Sequence, residues 1–246
     1  MSVTVTFVGS GDAFGAGGRF QTCILVDAPG TRFVIDFGAS SLIALNKMGI
    51  NHNSIDTIIL THIHGDHCGG IPFMLMDAML GAKRQRPLTI VGPRETEKKL
   101  DLINEVMMPG IRSMTPKFEL KYLEIDVMSP TTVGSLSIVS FPAQHTAETN
   151  PTSIRIIVAD KVISYTGDSA WTRYTPEVAE GADLFICECY FYGKPVRFHM
   201  NYPDIKKHQS KLKAKRTILT HFSREMILHK DNVPEETAYD GLAIEL

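Results

Sequence analysis

Thr61-His62-Ile63-His64-Gly65-Asp66-His67-Cys68-Gly69-Gly70 is the stretch on which the fold of this chain turns. It follows an apolar run, Ile55 to Leu60, that reads as a buried strand. Three histidines and a carboxylate fall within six positions. A lone histidine in a polar loop is satisfied by hydrogen bonds. Nitrogen and oxygen donors crowded this closely repel one another or strand protons unless a cation sits among them. The spacing points to a metal site at the end of a strand.

The pattern recurs downstream. His145 follows a strand over Leu136 to Phe141, Asp168 follows one over Val162 to Thr166, and His221 follows one over Thr217 to Thr220. Strand ends are where a sheet gathers distant residues into one place. Any one of the three alone reads as structural; with the opening stretch they supply a set of ligands for two metal ions.

The rest of the chain frames these motifs. Val3 to Val8 alternates as a strand, and a glycine-rich segment, Gly9 to Gly18, follows. Another strand, Thr22 to Val26, comes next instead of a long helix, so the segment is not a dinucleotide fingerprint. It is either a turn or a loop that faces substrate. Arg32 to Asp36 reads as a strand, and Asp36-Phe37-Gly38 resembles a kinase motif by letters only. Ser40 to Met48 and Ile71 to Leu80 read as helices; the methionines of the second suit core packing or a partner interface. Lys83 to Arg86 is a short basic run, best read as a solvated loop. Leu88 to Val91 is a strand, a charged helix runs to about Met107, and Phe118 to Ile125 is a strand. Ile154 to Val158 and Val162 to Thr166 form a hairpin through Ala159-Asp160-Lys161. Leu184 to Cys187 is a short buried strand, and Pro203 opens a basic helix with Ile205, His208 and Leu212 on one face. No segment is linker-like, so residues 1–246 read as one domain.

Composition excludes several classes. The chain has 246 residues and a formal net charge of -2, so no strong field draws it to nucleic acid or to an acidic membrane. No apolar run is long enough to span a bilayer, and the first residues read as a strand, not a signal peptide. Cys23, Cys68, Cys187 and Cys189 form no disulfide framework. A reducing cytoplasm is the expected compartment. Cys187 and Cys189 flank Glu188 and share the opposite face of their strand, which suits core packing. Cys68, beside a ligand, is not needed as one.

Taken together, His62, His64, Asp66 and His67 in the order His-x-His-x-Asp-His, with His145, Thr166-Gly167-Asp168-Ser169 and Thr220-His221-Phe222-Ser223, resemble the metallo-β-lactamase superfamily over nearly the whole chain. The resemblance implies an αββα sandwich, two mixed sheets with helices on the outer faces and the site at one edge. It implies that one metal takes His62, His64 and His145, that the other takes Asp66, His67 and His221, and that Asp168 bridges them. Such ligands suit zinc, with manganese or iron as alternatives. Two cations about 3.5–4 Å apart share and acidify a hydroxide and polarise a carbonyl or phosphoryl oxygen. An aspartate bridge argues against the cysteine-containing β-lactamase site, and His-x-His argues against the flavodiiron branch.

Further motifs are similar to those of ribonuclease Z. They are Gly9-Ser10-Gly11-Asp12-Ala13-Phe14, Cys187-Glu188-Cys189-Tyr190-Phe191 with His199, and Thr220-His221-Phe222-Ser223-Arg224, in which the arginine directly follows the serine. By that resemblance Glu188 orients or charge-balances His199, and His199 protonates the leaving oxygen; otherwise His199 is a surface histidine before a helix. Asp66 fixes the attacking hydroxide. The family's transfer-RNA-gripping arm lies between the positions of His145 and Asp168, and Thr146 to Gly167 is too short to hold it. Structured transfer RNA is therefore a doubtful partner, and the lysines from Lys206 to Lys215 with Arg216 read as a solvated face. The expectation is a di-metal hydrolase of phosphodiester bonds in a small or nucleotide-like substrate, with cyclic nucleotides or short nucleic-acid ends as candidates. A lactone, thioester, sulfate-ester or β-lactam hydrolase with the same site is the alternative. A silent binding relative is disfavoured because no ligand is degraded. A homodimer is an open expectation.

Overall fold

Alternating side chains in Thr4–Gly9 put Val5 and Phe7 on one face and leave Thr4 and Thr6 partly open, the mark of a strand between a core and a second environment. In the computed structural model, which describes residues 2–246, that strand, β1, joins β2 (Cys23–Ala28), β3 (Thr31–Ile35), β4 (Thr57–Ile59), β5 (Leu88–Gly92) and β6 (Leu120–Glu124). β7 (Thr131–Val133), β8 (Leu136–Pro142), β9 (Thr152–Val158), β10 (Lys161–Tyr165), β11 (Leu184–Glu188), β12 (Thr217–Thr220) and β13 (Glu236–Thr237) follow, and β14 (Ala243–Glu245) ends the chain. They form two seven-stranded sheets, ordered β14-β1-β2-β3-β4-β5-β6 and β13-β12-β11-β10-β9-β8-β7.

The sheets face each other. Phe7, Ile24, Phe33 and Ile59 of the first share one core with Ile138, Ile156, Ile163, Ile186 and Ile218 of the second. The outer faces are covered by helices. α1 (Ser41–Lys47), α3 (Ile71–Leu80) and α4 (Thr96–Met107) place Leu45, Met74 and Leu100 over the first sheet. α5 (Thr175–Ala179), α6 (Tyr202–His208) and α7 (Arg224–His229) place Val178, Ile205 and Met226 over the second. A one-turn helix, α2 (Gly65–Cys68), lies inside the opening motif. The architecture is the expected αββα sandwich.

Strand direction positions the site. β3, β4, β5 and β6 pair in parallel, so their C-terminal ends share one edge. β10, β11 and β12 are parallel, and β8 runs the same way because β9 is antiparallel to both β8 and β10. Their C-terminal ends meet the same edge of the sandwich. The 159–161 turn and the hairpin fill the interval between His145 and Asp168. The helix expected to carry Leu212 ends at His208, and residues 209–211 tighten into a 3-10 turn, as helix ends often do. Cys187 and Cys189 pack outward beneath the second helical layer, and Cys68 packs beneath the first. No helix among the described residues is long and apolar enough to cross a membrane.

Candidate metal centre

Every site residue singled out in the sequence reaches this shared edge. His62, His64 and Asp66 to His67 leave the end of β4; His145 follows β8, Asp168 follows β10, Glu188 ends β11 and His221 follows β12. Their donor atoms fall into three overlapping groups: His62 with His64 and His145; Asp66 with His67, Asp168 and His221; and His145 with Asp168 and His199. Within each group the donor atoms lie within 4.8 Å of one another.

The backs of the imidazoles decide which atoms face inward. His145 Nδ1 lies 2.8 Å from the Phe198 carbonyl. A carbonyl only accepts, so Nδ1 carries the proton and Nε2 presents a lone pair. His67 Nδ1 donates to Asp36 Oδ2 at 2.7 Å. Thr61 Oγ1 gives its proton to Asp36 Oδ2 at 2.8 Å and accepts from His62 Nδ1 at 3.1 Å. Thr22 Oγ1 gives its proton to the Gly11 carbonyl at 3.4 Å and accepts from His221 Nδ1 at 3.2 Å. Four imidazoles are thus turned so that their Nε2 lone pairs converge.

The convergent nitrogens face one another and the carboxylates of Asp66 and Asp168. His62 Nε2 and His145 Nε2 each lie 3.1 Å from His64 Nδ1. His67 Nε2 lies 3.3 Å from both Asp66 Oδ2 and Asp168 Oδ1, and His221 Nε2 lies 3.3 Å from Asp168 Oδ2. His67 Nε2 and Asp168 Oδ1 are buried and lack any hydrogen-bond partner. Orphaned buried acceptors are costly, and lone pairs aimed at one another require a positive charge. The donor set fits a divalent cation: imidazole nitrogen and carboxylate oxygen, no thiolate.

Their surroundings divide the imidazoles into two sets. Burial pushes His62, His64 and His145 below their ordinary values. Burial also opposes charge on His67 and His221, but Asp168 and Asp66 lift His67 well above its ordinary value, and Asp168 lifts His221 to about 9. Burial pushes the Asp168 carboxyl up, yet His221 and His67 overcome it and hold the group well below the usual carboxylate range.

Glu188 and His199 form the outer part of the site. Glu188 is fully buried. Its Oε2 accepts from the backbone N–H groups of Ser169, at 2.8 Å, and Met200, at 3.0 Å. Its Oε1 accepts from His199 Nδ1 in a short contact. Burial and nearby Asp168 raise Glu188, and Glu188 lifts His199 above its ordinary value against burial, so the pair holds a proton between them. His199 Nε2 has no partner among the described residues, and its side chain is 19 % exposed.

Asp36, Thr61, Thr22 and Tyr190 went unrecognised in the sequence. Asp36 follows β3 with φ 59° and orients both His67 and, through Thr61, His62. A carboxylate after a strand beside the metal-motif strand was the available signal. Tyr190 stacks on His199 with ring centroids 4.3 Å apart. Backbone strain concentrates here: Phe198 has φ 70° and His221 has φ 61°, a conformation that costs about 1–2 kcal/mol for an L residue.

Comparison with known proteins matches this geometry to a lineage. The chain is 25 % identical over 271 residues to the ribonuclease Z of Agathobacter rectalis, covering 88 % of this chain and 86 % of that one. The metallo-β-lactamase fold protein YhfI from Bacillus subtilis superposes with a TM-score of 0.79 at 22 % identity, covering 100 % of this chain and 99 % of that chain. The short form of human tRNase Z superposes with a TM-score of 0.78 at 20 % identity, each chain covered to 98 %. Residues 3–238 match the family described as anti-Pycsar protein Apyc1, and the chain belongs to that family, within the ribonuclease Z-like part of the metallo-β-lactamase superfamily.

Proposed function

We propose that this chain is a metal-dependent phosphodiesterase acting on a small or nucleotide-like substrate, cyclic nucleotides being the first candidates. The observation that carries the reading is the set of four imidazoles whose protons are held outward by Phe198, Asp36, Thr61 and Thr22. Such an arrangement is preorganised for cations. His62, His64 and His145 would hold one metal and Asp66, His67 and His221 the other, with Asp168 between them. Two divalent cations, zinc by donor type, would supply polarisation of a phosphoryl oxygen and acidification of a water.

The chain's own groups do the rest. Asp66 accepts a proton at its carboxylate and fixes the attacking oxygen. Glu188 keeps His199 charged and oriented through Nδ1, leaving Nε2 to protonate the departing oxygen. Glu188 itself is anchored by two backbone N–H groups, so His199 acts from a rigid mount. The ribonuclease Z relative supports phosphodiester chemistry. The β9–β10 hairpin leaves no long insertion between His145 and Asp168, which supports a small substrate over structured transfer RNA. A single domain, a cytoplasmic setting and a homodimer complete the reading; sedimentation tests the last.

The decisive experiment loads chelator-stripped protein with zinc or manganese and assays a bis-aryl phosphate, cyclic nucleotides, a lactone, an aryl sulfate and a cephalosporin. Metal-dependent turnover of phosphodiesters is expected. Activity retained in the stripped protein, or confined to carboxylic esters, would overturn the proposal.

A further inference from the structure

The outer face of the first sheet carries a cavity of about 240 Å³. It lies between α3, α4, the 3-10 turn Ile111–Ser113 and β6. None of its lining residues belongs to the donor groups of the metal centre. Most of the wall is apolar or aromatic: Leu75 and Met79 from α3, Met114 and Phe118 from the segment before β6, and Tyr122 from β6 itself. One wall residue breaks this pattern. The residues that α4 buries are Thr96, Leu100 and Asn104, four residues apart on one stripe of the helix. A leucine would be the ordinary choice at the third place. Asn104 is instead 5 % exposed, and its Oδ1 is buried with no hydrogen-bond partner. An amide left unpaired among apolar side chains destabilises the fold, and buried polar groups are paired in nearly every case. Asn104 also lines the cavity, so the partner its amide lacks can come from that side.

We propose that this cavity is a second binding site, for a small uncharged aromatic ring bearing one hydroxyl, a simple phenol, whose hydroxyl pairs with the Asn104 amide. Size sets the upper limit. An apolar cavity of about 150 Å³ holds benzene, so this one takes a ring and a few substituent atoms and excludes a nucleotide. Chemistry of the wall selects the ring. The thioethers of Met79 and Met114 adapt in shape and favour aromatic edges, and Phe118 and Tyr122 add ring surfaces. Charge excludes ions. The charged residues of the lining, Asp101 and Arg112, face each other at 3.9 Å. Burial pushes the Tyr122 hydroxyl up to about 12, and Asp101 and Glu97 add to this, so that wall stays neutral. The amide selects the hydroxyl. A half-turn about the Asn104 Cβ–Cγ bond exchanges its oxygen and its NH2 without changing its shape. A hydroxyl both donates and accepts, so it satisfies either orientation. The site stands apart from the phosphodiesterase reading and does not depend on it.

A matched pair of probes, 4-ethylphenol and 4-ethyltoluene, tests the site; they share one shape and differ by a hydroxyl against a methyl. Wild-type protein is expected to bind 4-ethylphenol with a Kd below about 1 mM by NMR titration. Its resonances should shift at Leu75, Met79, Asn104 and Tyr122 and stay in place at His145. Asn104→Leu keeps a branched side chain and removes the amide. It is expected to move the ratio of the two affinities about tenfold toward 4-ethyltoluene. Without ligand it should melt no lower than the wild type, because the orphaned oxygen is gone. Met114→Trp fills the cavity from its loop wall and is expected to weaken 4-ethylphenol about tenfold or more, with circular dichroism as the check on folding. If that variant does not fold, the Asn104→Leu ratio and the wild-type shifts decide. No binding of 4-ethylphenol by the wild type at about 10 mM would overturn the proposal. So would shifts confined to other parts of the chain, an unchanged ratio in Asn104→Leu, or unweakened binding by folded Met114→Trp.

Discussion

Asp36 spreads its two carboxylate oxygens over three donors: the Thr61 backbone N–H at 2.8 Å, the Thr61 hydroxyl and His67 Nδ1. Asparagine has the same shape but one oxygen, so one of these donors must go unpaired. Asp36→Asn is therefore expected to weaken metal affinity about 10- to 100-fold, read by competition with a chelating dye; unchanged affinity would detach Asp36 from the centre. His199 tests the other half of the site. Because it is mounted on Glu188 and not among the convergent nitrogens of His62, His67, His145 and His221, His199→Ala should keep its metal by atomic absorption. Its kcat should fall about 10²- to 10⁴-fold for poor leaving groups and little for nitrophenolate. Equal losses across leaving groups would mean that His199 does not protonate them. The candidate ligand residues could be picked out in the sequence because each group of them follows an apolar strand. Asp36 could not, because its role depends on a left-handed backbone turn and on β3 lying beside β4.

Elements showed the same divide. Long alternating strands such as β1, β8 and β9 announce themselves through their period of two. β7, β13 and β14, of two or three residues, are too short to display a period and form only because a neighbour's edge offers pairing. The cavity beside Asn104 was invisible for a related reason: its walls come from four separate elements. The turn from β10 into Asp168 carries its own constraint. Gly167 has φ 58°, and a Cβ there would lie 2.8 Å from the Thr152 carbonyl oxygen and 3.0 Å from Thr61 Cβ. Gly167→Ala is expected to destabilise the fold by roughly 1–3 kcal/mol, seen as a lower melting temperature; an unchanged melting temperature would contradict the crowding.

His52, in the 3-10 turn His52–Ser54 before β4, gives a pH dependence. Burial pushes its imidazole below the ordinary value of 6.5, Arg84 adds to this, and Asp77 at 3.3 Å only partly offsets it. The unfolded chain therefore takes up this proton first as pH falls. Stability contributed at His52 is present above 6.5 and is lost as pH drops through the lower folded value. Between about pH 7.5 and pH 5 the urea midpoint of the wild type should fall further than that of His52→Gln. Parallel curves would show that His52 does not titrate differently on folding.

At the scale of the whole molecule the two sheets are tied together through Asp240, near the end of the chain. Its Oδ1 accepts from Ser10 N–H at 2.9 Å and Ser10 Oγ at 2.8 Å, and its Oδ2 accepts from Phe20 N–H at 2.7 Å. Ser10 in turn accepts from the His221 N–H at 3.2 Å. The glycine-rich segment is thus a pinned support for His221, a candidate metal-centre residue of the opposite sheet. Asp240→Ala strands two backbone donors and should cost roughly 1–3 kcal/mol, with faster hydrogen exchange at Ser10 and Phe20; wild-type exchange there would contradict the pinning.

The pairing of β1 with β14 also decides where Val3 and Leu246 lie. β1 runs parallel to β3, being antiparallel to β2 as β3 is, so Gly9 points to the edge that carries the metal centre and Thr4 to the opposite one. β14 is antiparallel to β1, with Glu245 opposite Thr4, and Leu246 N–H bonds the Val3 carbonyl at 2.9 Å. Val3 and Leu246 thus sit together on the pole opposite the candidate metal centre. A tether or reporter attached beside Val3 or Leu246 leaves the edge that carries the candidate metal centre facing solution.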